Sequence, residues 1–424
     1  MNYEDSIKWL YSFEKFGIKL ELDRIKYICK KLKNPQNRYK IIHVGGTNGK
    51  GSVCRYLHSI LSLNGYKTGL YTSPHLTDFS ERFVINDKEI SKEEIISLVK
   101  KIKPIIDEMQ EEENIPTYFE ILTAMAFLYF FEKDVEIAII EVGLGGRFDA
   151  TNIVNPVVSV ITNISIEHQD RLGKDIEDIA FEKAGIIKKN TPLVTAAVDD
   201  SLKVIKKIAD EKNSSIIIAN KNSWKRLKGG FDWQNFLIKG SLKEYNINIS
   251  SPGLFQGENI ALSVNTIEVL QMNGTYITDE SIIKGFEITK NPGRMEIVSY
   301  EPLILLDGAH NIAGIVNLKN ILENDFIFEK LILVIGILSD KNVKEMLEII
   351  SAIADIIILT KSKNIRAEKP SKLKEIIKGD AIIKEDISDA IEYAKNVANK
   401  KDLICITGSL FTVGEAKIYL KKFL

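Results

Sequence analysis

The chain has 424 residues, 45% of them hydrophobic, enough apolar surface for a folded protein of roughly two or three domains. Its 57 Lys and Arg stand against 58 Asp and Glu, a formal net charge of −1, so no overall basic field points to nucleic acid and no polybasic tail to a membrane. Cys29, Cys54 and Cys405 are too scattered for a metal site or a disulfide framework. Acidic residues interrupt the apolar positions of "MNYEDSIKWLYSFEKFGIKL", the wrong pattern for a signal peptide, and no run approaches the ~18 apolar residues of a membrane span. A cytoplasmic protein acting on small charged metabolites is expected.

In chain order, "YKIIHVGG", "KTGLYTS", "VEIAIIEVG", "PVVSVITN" and "TPLVTAAV" are short, rich in Val, Ile and Thr, and bounded by Gly, Pro or Asn, which predicts buried strands. Between the first two, Val53, Leu57, Ile60 and Leu61 recur at helical spacing and Asn64-Gly65 reads as a C-cap, so strand, Gly-rich loop, helix and strand make a βαβ unit. "TYFEILTAMAFLYFFE" is apolar nearly all round and predicts a helix buried against the sheet. Lys221 to Asn259 changes texture and predicts β-hairpins at the edge of the first domain. Pro292-Gly293 breaks the pattern and marks a boundary. After it "LILLDGAHN", "LILVIGILSDKN", "IADIIILTKSK", "DAIIKE" and "DLICITGS" alternate with helical segments, a second α/β domain of roughly 130 residues with a parallel-rich sheet.

The loop "GGTNGKGS", Gly45 to Ser52, departs from the usual phosphate loop G-x-x-x-x-G-K-[ST]. Gly45 stands one residue too close to Gly49-Lys50, and Gly51 separates the lysine from Ser52. The chemistry is nevertheless met. Backbone N–H groups at a helix N-terminus converge on anionic oxygens, glycines let them approach, Lys50 reaches terminal phosphates, and Ser52 in the first turn reaches a Mg²⁺ ion. A Gly-rich turn without a ligand is the alternative.

"GGTNGKGS" resembles the ATP loop of the Mur ligase superfamily, in its folylpolyglutamate synthase and dihydrofolate synthase branch. "YTSPHL", "YFEILTAMAF", "EVGLGGRFDATN", "EKAGIIK", "NPGRME", "DGAHN" and "TGSLF" match that family's motifs in order, from about Gly17 to the C-terminus. The resemblance implies an α/β, Mur-ligase-like fold: an N-terminal P-loop ATPase-type domain over 1–293 and a smaller C-terminal Rossmann-like α/β domain over 294–424. ATP would lie on Gly46, Thr47, Asn48, Gly49, Lys50, Gly51 and Ser52, with Asn259 as a further nucleotide contact and Phe255 where histidine often stands. Arg294 fits a phosphate clamp at the domain hinge, because its guanidinium bridges oxygens bidentately.

Mg²⁺ ligands implied by the resemblance are Ser52, Glu120, His168 and Lys183. Glu120 lies on an otherwise apolar helix, where a buried carboxylate must be paired, protonated or metal-bound, so a core ion pair stays open beside the metal reading. Glu167, before His168, stands where the pattern has an aspartate. Lys183 is the position of the family's carbamylated lysine; an unmodified lysine on phosphate is the competing view. Asp307 and His310 fall just past a strand's C-terminal end, where open α/β sheets bind ligands, and the resemblance gives Asp307 the ammonium of the incoming amino acid and His310 the nucleotide or the amine. Ile312 follows where proline is usual; an ordinary polar turn is the alternative. Ser409 is assigned a glutamate contact, and Thr117, Phe119 and Ala150 line the pteroate pocket.

The implied activity is ATP-dependent amide ligation of L-glutamate to dihydropteroate and to reduced folyl(poly)glutamates through an acyl phosphate, with Lys50, Lys183, Asp307 and His310 as catalytic residues. A monomer closing about Arg294 is expected. A monofunctional folylpolyglutamate synthase is the close alternative. A peptidoglycan Mur ligase is more distant, since only 44 residues precede Gly45 where that group carries a further domain. A GTPase would need an N-K-x-D element, and "NKNS" lacks the aspartate; a dehydrogenase would need G-x-G-x-x-G, and Phe148 takes the last glycine position of "EVGLGGRF".

Overall fold

The computed structural model describes residues 1–17, 19, 21–377 and 379–422. Its first sheet has eight strands in the order β4-β3-β2-β5-β1-β6-β7-β8. They are β1 (Lys40–Gly45), β2 (Thr68–Tyr71), β3 (Phe83–Ile85), β4 (Lys88–Glu89), β5 (Ile137–Glu141), β6 (Val158–Ile161), β7 (Leu193–Thr195) and β8 (Ile216–Ile218). From β2 to β8 the pairs are parallel, and β3 and β4 fold back antiparallel at one edge.

Side chains alternate across this sheet, which is why its strands read as continuous apolar runs. Ile42, Val44, Ile137 and Ile139 face a core shared with the helices Lys50–Leu63, Gln256–Met272 and Asp279–Ile288. Ile41, Ala138 and Ile140 face the opposite core, with the helices Tyr3–Tyr11, Asp23–Lys31, Lys92–Glu111 and Tyr118–Glu132. The last of these is buried from Glu120 to Phe130, as its all-round apolarity predicts.

The segment with altered texture forms a three-stranded antiparallel sheet, β9 (Trp224–Gly229), β10 (Gln234–Lys239) and β11 (Glu244–Ile249). Its inward residues Phe236, Ile238, Tyr245 and Ile247 close the first core. The predicted hairpin region ran to Asn259. In the structure the chain turns at Pro252-Gly253, and Asn259 instead sits on the helix Gln256–Met272.

The C-terminal sheet has six strands, ordered β12-β13-β17-β14-β15-β16: β12 (Glu296–Tyr300), β13 (Leu303–Leu306), β14 (Leu331–Ile335), β15 (Ile356–Leu359), β16 (Ile382–Ile383) and β17 (Leu403–Thr407). Only β12 among them is antiparallel. Leu305, Leu333 and Cys405 face one core, and Ile304, Ile332 and Ile404 the other, giving the Rossmann-like sandwich. Cys29, Cys54 and Cys405 are buried and unpaired. No helix among the described residues is long and apolar enough to cross a membrane.

Candidate active site

A cavity of about 520 Å³ lies where the C-terminal ends of β1 and β5 meet residues from the C-terminal sheet. The phosphate loop forms its floor. Gly46 has φ +128° and Gly49 φ +87°, and a Cβ would stand 1.9 Å from Thr162 Oγ1 at the first and 2.3 Å from Asn259 Oδ1 at the second, so both positions require glycine. Asn259 thus packs over the loop, its amide donating to Gln256 at 3.0 Å, while Phe255 lines the cavity and packs on the C-terminal core. Thr47 N donates to Asn163 O at 2.8 Å, and Asn48 N to Asn163 Oδ1 at 3.1 Å. Gly49 caps the helix Lys50–Leu63 with no side-chain bond, which leaves the first-turn amides to a ligand. Gly51 and Ser52 line the cavity from that turn. Lys50 Nζ lies across the loop, donating to Gly46 O at 3.0 Å and Thr47 O at 2.9 Å.

Glu120 takes the ion-paired form that the sequence left open beside the metal reading. Its Oε2 accepts from Arg24 Nε at 3.1 Å and Thr117 N at 2.7 Å, and Thr117 Oγ1 accepts from Glu120 N at 3.2 Å. This is a capping box plus a buried ion pair, the alternative left open, and it ties Glu120 to the helix start and not to the phosphate loop. Oε1 is buried without a protein partner. The acid that does face the loop is Glu141. It ends β5, beside Val44 of β1, and accepts from Ser73 N at 2.9 Å through Oε2; its Oε1 would lie 3.9 Å from a Cβ on Gly51. Burial raises its carboxyl pKa, while Lys50, the Ser73 amide and Arg294 pull it down, with burial prevailing.

Lys183, 1% exposed, donates to Gly46 O at 2.9 Å and to Glu167 Oε1 at 2.8 Å. Burial lowers its pKa against the raising effect of Glu167. Burial raises Glu167 in turn, but Lys183 and Lys50 outweigh it and hold the carboxyl at about 2. His168 has φ +48° and directs Nε2 at Lys341 Nζ, 3.3 Å away. Since the ammonium only donates, that nitrogen carries a lone pair; burial and Lys341 both lower the imidazole pKa.

The C-terminal sheet supplies the opposite wall. Asp307 receives Ala309 N at 2.9 Å on Oδ1 and Met295 N at 3.0 Å on Oδ2; burial raises its pKa and Arg294 lowers it, with burial prevailing. His310 Nδ1 lies 2.8 Å from Gly308 O, an acceptor only, so the proton is on Nδ1 and Nε2 is bare. Burial, aided by Arg294, lowers this imidazole to about 4. Arg294 Nη1 donates to Gly308 O at 3.0 Å. Ile312 opens a helix that Asn311 caps, so the turn forms without the usual proline. Ser409 is buried and spends its hydroxyl on capping Thr412 N at 3.0 Å, though it still lines the cavity.

At the far end Phe119 stacks on Tyr71 with centroids 6.1 Å apart and covers Gly143, where a Cβ would meet the ring at 2.5 Å. Thr117 and Ala150 line the same end. Sequence reasoning passed over Glu141, Ser73, Lys341 and Arg366, which all line the cavity. Glu141 opened a quoted motif, and Lys341 follows β14 at a strand's C-terminal end, the position at which such sheets bind ligands.

A family model described as Mur ligase middle domain matches residues 44–267, and one described as Mur ligase, glutamate ligase domain matches 293–410. The dihydrofolate synthase/folylpolyglutamate synthase of Bacillus subtilis is 36% identical over 432 residues, covering 99% of each chain. The folylpolyglutamate synthase of Lacticaseibacillus casei is 30% identical, covering 97% of each. Among solved structures, Mycobacterium tuberculosis folylpolyglutamate synthase complexed with ADP and AMPPCP superposes with a TM-score of 0.91 at 30% identity, covering 98% of each chain. The Thermotoga maritima folylpolyglutamate synthase gives 0.86 at 35% identity, covering 100% of this chain and 97% of that one. The chain therefore belongs to the folylpolyglutamate synthase/dihydrofolate synthase family of the Mur ligase superfamily.

Proposed function

We propose that the protein is an ATP-dependent ligase that joins L-glutamate to dihydropteroate and to reduced folyl(poly)glutamates. It works as a cytoplasmic monomer on small molecules and not on nucleic acid, in keeping with its net charge of −1. The observation that carries the reading is a single cavity lined both by the phosphate loop and by Arg294, Asp307 and His310 of the other domain. The division falls at the Pro292-Gly293 turn, giving domains 1–293 and 294–424, and closure about Arg294 assembles the site.

A carboxylate resists attack by an amine because oxide would have to leave. The substrate carboxylate instead attacks the γ-phosphate of ATP, ADP leaves, and the glutamate amine then displaces phosphate from the acyl carbon. Lys50 gives up its loop carbonyls to reach the phosphates, and Arg294 approaches from the other domain. Asp307 accepts the amino acid's ammonium, and the bare Nε2 of His310 accepts a hydrogen bond from amine or nucleotide. Lys341, partly buried and in no ion pair among the described residues, fits an amino-acid carboxylate beside Ser409. Phe119, Thr117 and Ala150 take the pteridine end.

Hard-cation donors are present: the Ser52 hydroxyl, the Glu141 carboxylate and the lone pair on His168 Nε2 would hold Mg²⁺. Such an ion, when bound, spreads the charge of the transferred phosphoryl group. Lys183 belongs to the same proposal. Its buried amine, with its lowered pKa, would add CO₂ and release a proton, and the resulting carbamate needs a cation between itself and Glu167.

The test is ADP release with ATP, Mg²⁺ and L-glutamate, with dihydropteroate and tetrahydrofolate assayed side by side. Turnover with both is expected. Turnover with tetrahydrofolate alone favours the monofunctional alternative, and background rates with both, or activity on nucleotide sugars, overturn the proposal.

A further inference from the structure

Asn48 is held on both sides, by its backbone within the first domain and by its side chain across to the second. Its backbone N–H donates to Asn163 Oδ1 at 3.1 Å, and Asn163 Nδ2 donates to Glu258 Oε1 at 2.9 Å, which fixes this part of the phosphate loop to the helix Gln256–Met272. Its side chain leaves the loop and meets Asn311 of the C-terminal domain. Asn311 Nδ2 donates to Asn48 Oδ1 at 3.1 Å, and Asn48 Nδ2 donates back to Asn311 Oδ1 at 3.4 Å. Asn311 Oδ1 also caps its own helix, accepting Gly314 N at 2.8 Å. Both partners are therefore anchored, one in each domain.

We propose that the Asn48–Asn311 amide pair is a positioning clasp that couples the shape of the phosphate loop to domain closure. Each amide offers a donor and an acceptor, and the two reciprocal bonds form together only at one separation and one mutual orientation of the two backbones. The pair is neutral, so it sits beside a phosphate site without competing for its charge. On the loop it is flanked by Thr47 and Gly49, and across the interface it is preceded by His310. Closing the clasp therefore sets His310, and with it the Asp307–His310 turn, against a loop already shaped for nucleotide. Neither side chain is assigned a chemical step; both act through their neighbours.

The inference rests on the ligase reading, so wild-type, glutamate-dependent ADP release is measured first; its absence is failure of that reading and not of the clasp. Asn311→Ser keeps a hydroxyl to cap Gly314 N but cannot span to Asn48. Expected for this variant are a KM for ATP within about threefold of wild type and a kcat lowered about tenfold, the loss appropriate to one or two neutral hydrogen bonds. Asn48→Ser lowers kcat similarly, and the double variant Asn48→Ser/Asn311→Ser falls no further than the worse single, because the first truncation already breaks the pair. With a non-hydrolysable ATP analogue bound, Asn311→Ser has a larger radius of gyration by small-angle scattering than wild type. Losses in kcat that multiply in the double variant, an unchanged kcat in either single, or scattering identical to wild type would each overturn the clasp.

Discussion

Glu120 and Glu141 are both buried carboxylates on the wall of one cavity, yet their surroundings differ. Glu120 starts a helix, where the positive end of the peptide dipoles, the Thr117 amide and the Arg24 guanidinium neutralise one oxygen. Glu141 ends a strand, with one backbone amide on it and its cations, Lys50 and Arg294, belonging to the site. Burial alone did not separate them. What separates them is the partner: Glu120 Oε2 is held by Arg24 and the Thr117 amide at a helix start, whereas the cations around Glu141 are Lys50 of the phosphate loop and Arg294.

Replacing each acid should break this comparison in a different observable. Glu141→Ala should lower kcat by about 100- to 1000-fold, the scale of losing a group that organises charge in a transition state, with an unchanged melting temperature; a drop in stability instead would put Glu141 in the structural class. Lys183→Ala should lose most activity, and formate or acetate should restore part of it. Full activity without an added anion removes the carbamate. Glu120→Ala should act on the fold: it removes one of the two carboxylates on Arg24, leaving Glu21 at 2.8 Å, at a cost of about 2 kcal/mol in urea unfolding, and a variant that unfolds like wild type but loses turnover would place Glu120 in the site.

Histidine extends the contrast to pH. His43 is fully buried against Thr151 Oγ1 at 2.8 Å, and burial, with Lys188, lowers its pKa from 6.5 to about 3. The unfolded chain binds this proton first, so the contribution to stability is intact above pH 6.5 and is lost as pH falls toward 3. Relative to His43→Gln, wild type should lose about 1.4 kcal/mol per pH unit inside that window; parallel stability curves would count against a neutral buried imidazole. The smallest effect is expected at the aromatic end. Phe119→Leu should raise KM for the pteroate substrate by about three- to tenfold, the worth of one stacking contact, and leave KM for ATP alone; equal shifts in both would deny Phe119 that role.

The strands around the loop were legible because short apolar runs rich in Val and Ile and bounded by Gly, Pro and Asn leave few alternatives, and the βαβ unit placed Lys50 and Ser52 at a helix start. β4, Lys88–Glu89, spans two polar residues and gave no signal, whereas the equally short β16 lies in the apolar run "DAIIKE". The ion-pair partner of Glu120 could not be named because Arg24 lies 96 residues away in sequence, but a local signal for its helix-start role was present: "TYFE" is itself a T-x-x-E capping box. Glu141 was hidden as the last residue of an apolar strand; its position becomes informative only once β5 is paired with β1. The same holds for Asn48 and Asn311, 263 residues apart and joined only by the approach of two domains.

The place of β1 in its sheet has one more consequence. Four strands lie on one side of it and three on the other, so the chain that feeds the phosphate loop is insulated from both edges. Fraying begins at edges, and amides at the centre exchange with solvent only when the whole unit opens. The nucleotide cradle is thus the last part of the first domain to lose its shape. Partial unfolding from the rim would disable the partners of ATP well before it disabled the grip on ATP itself, leaving a chain that still holds nucleotide but no longer turns it over.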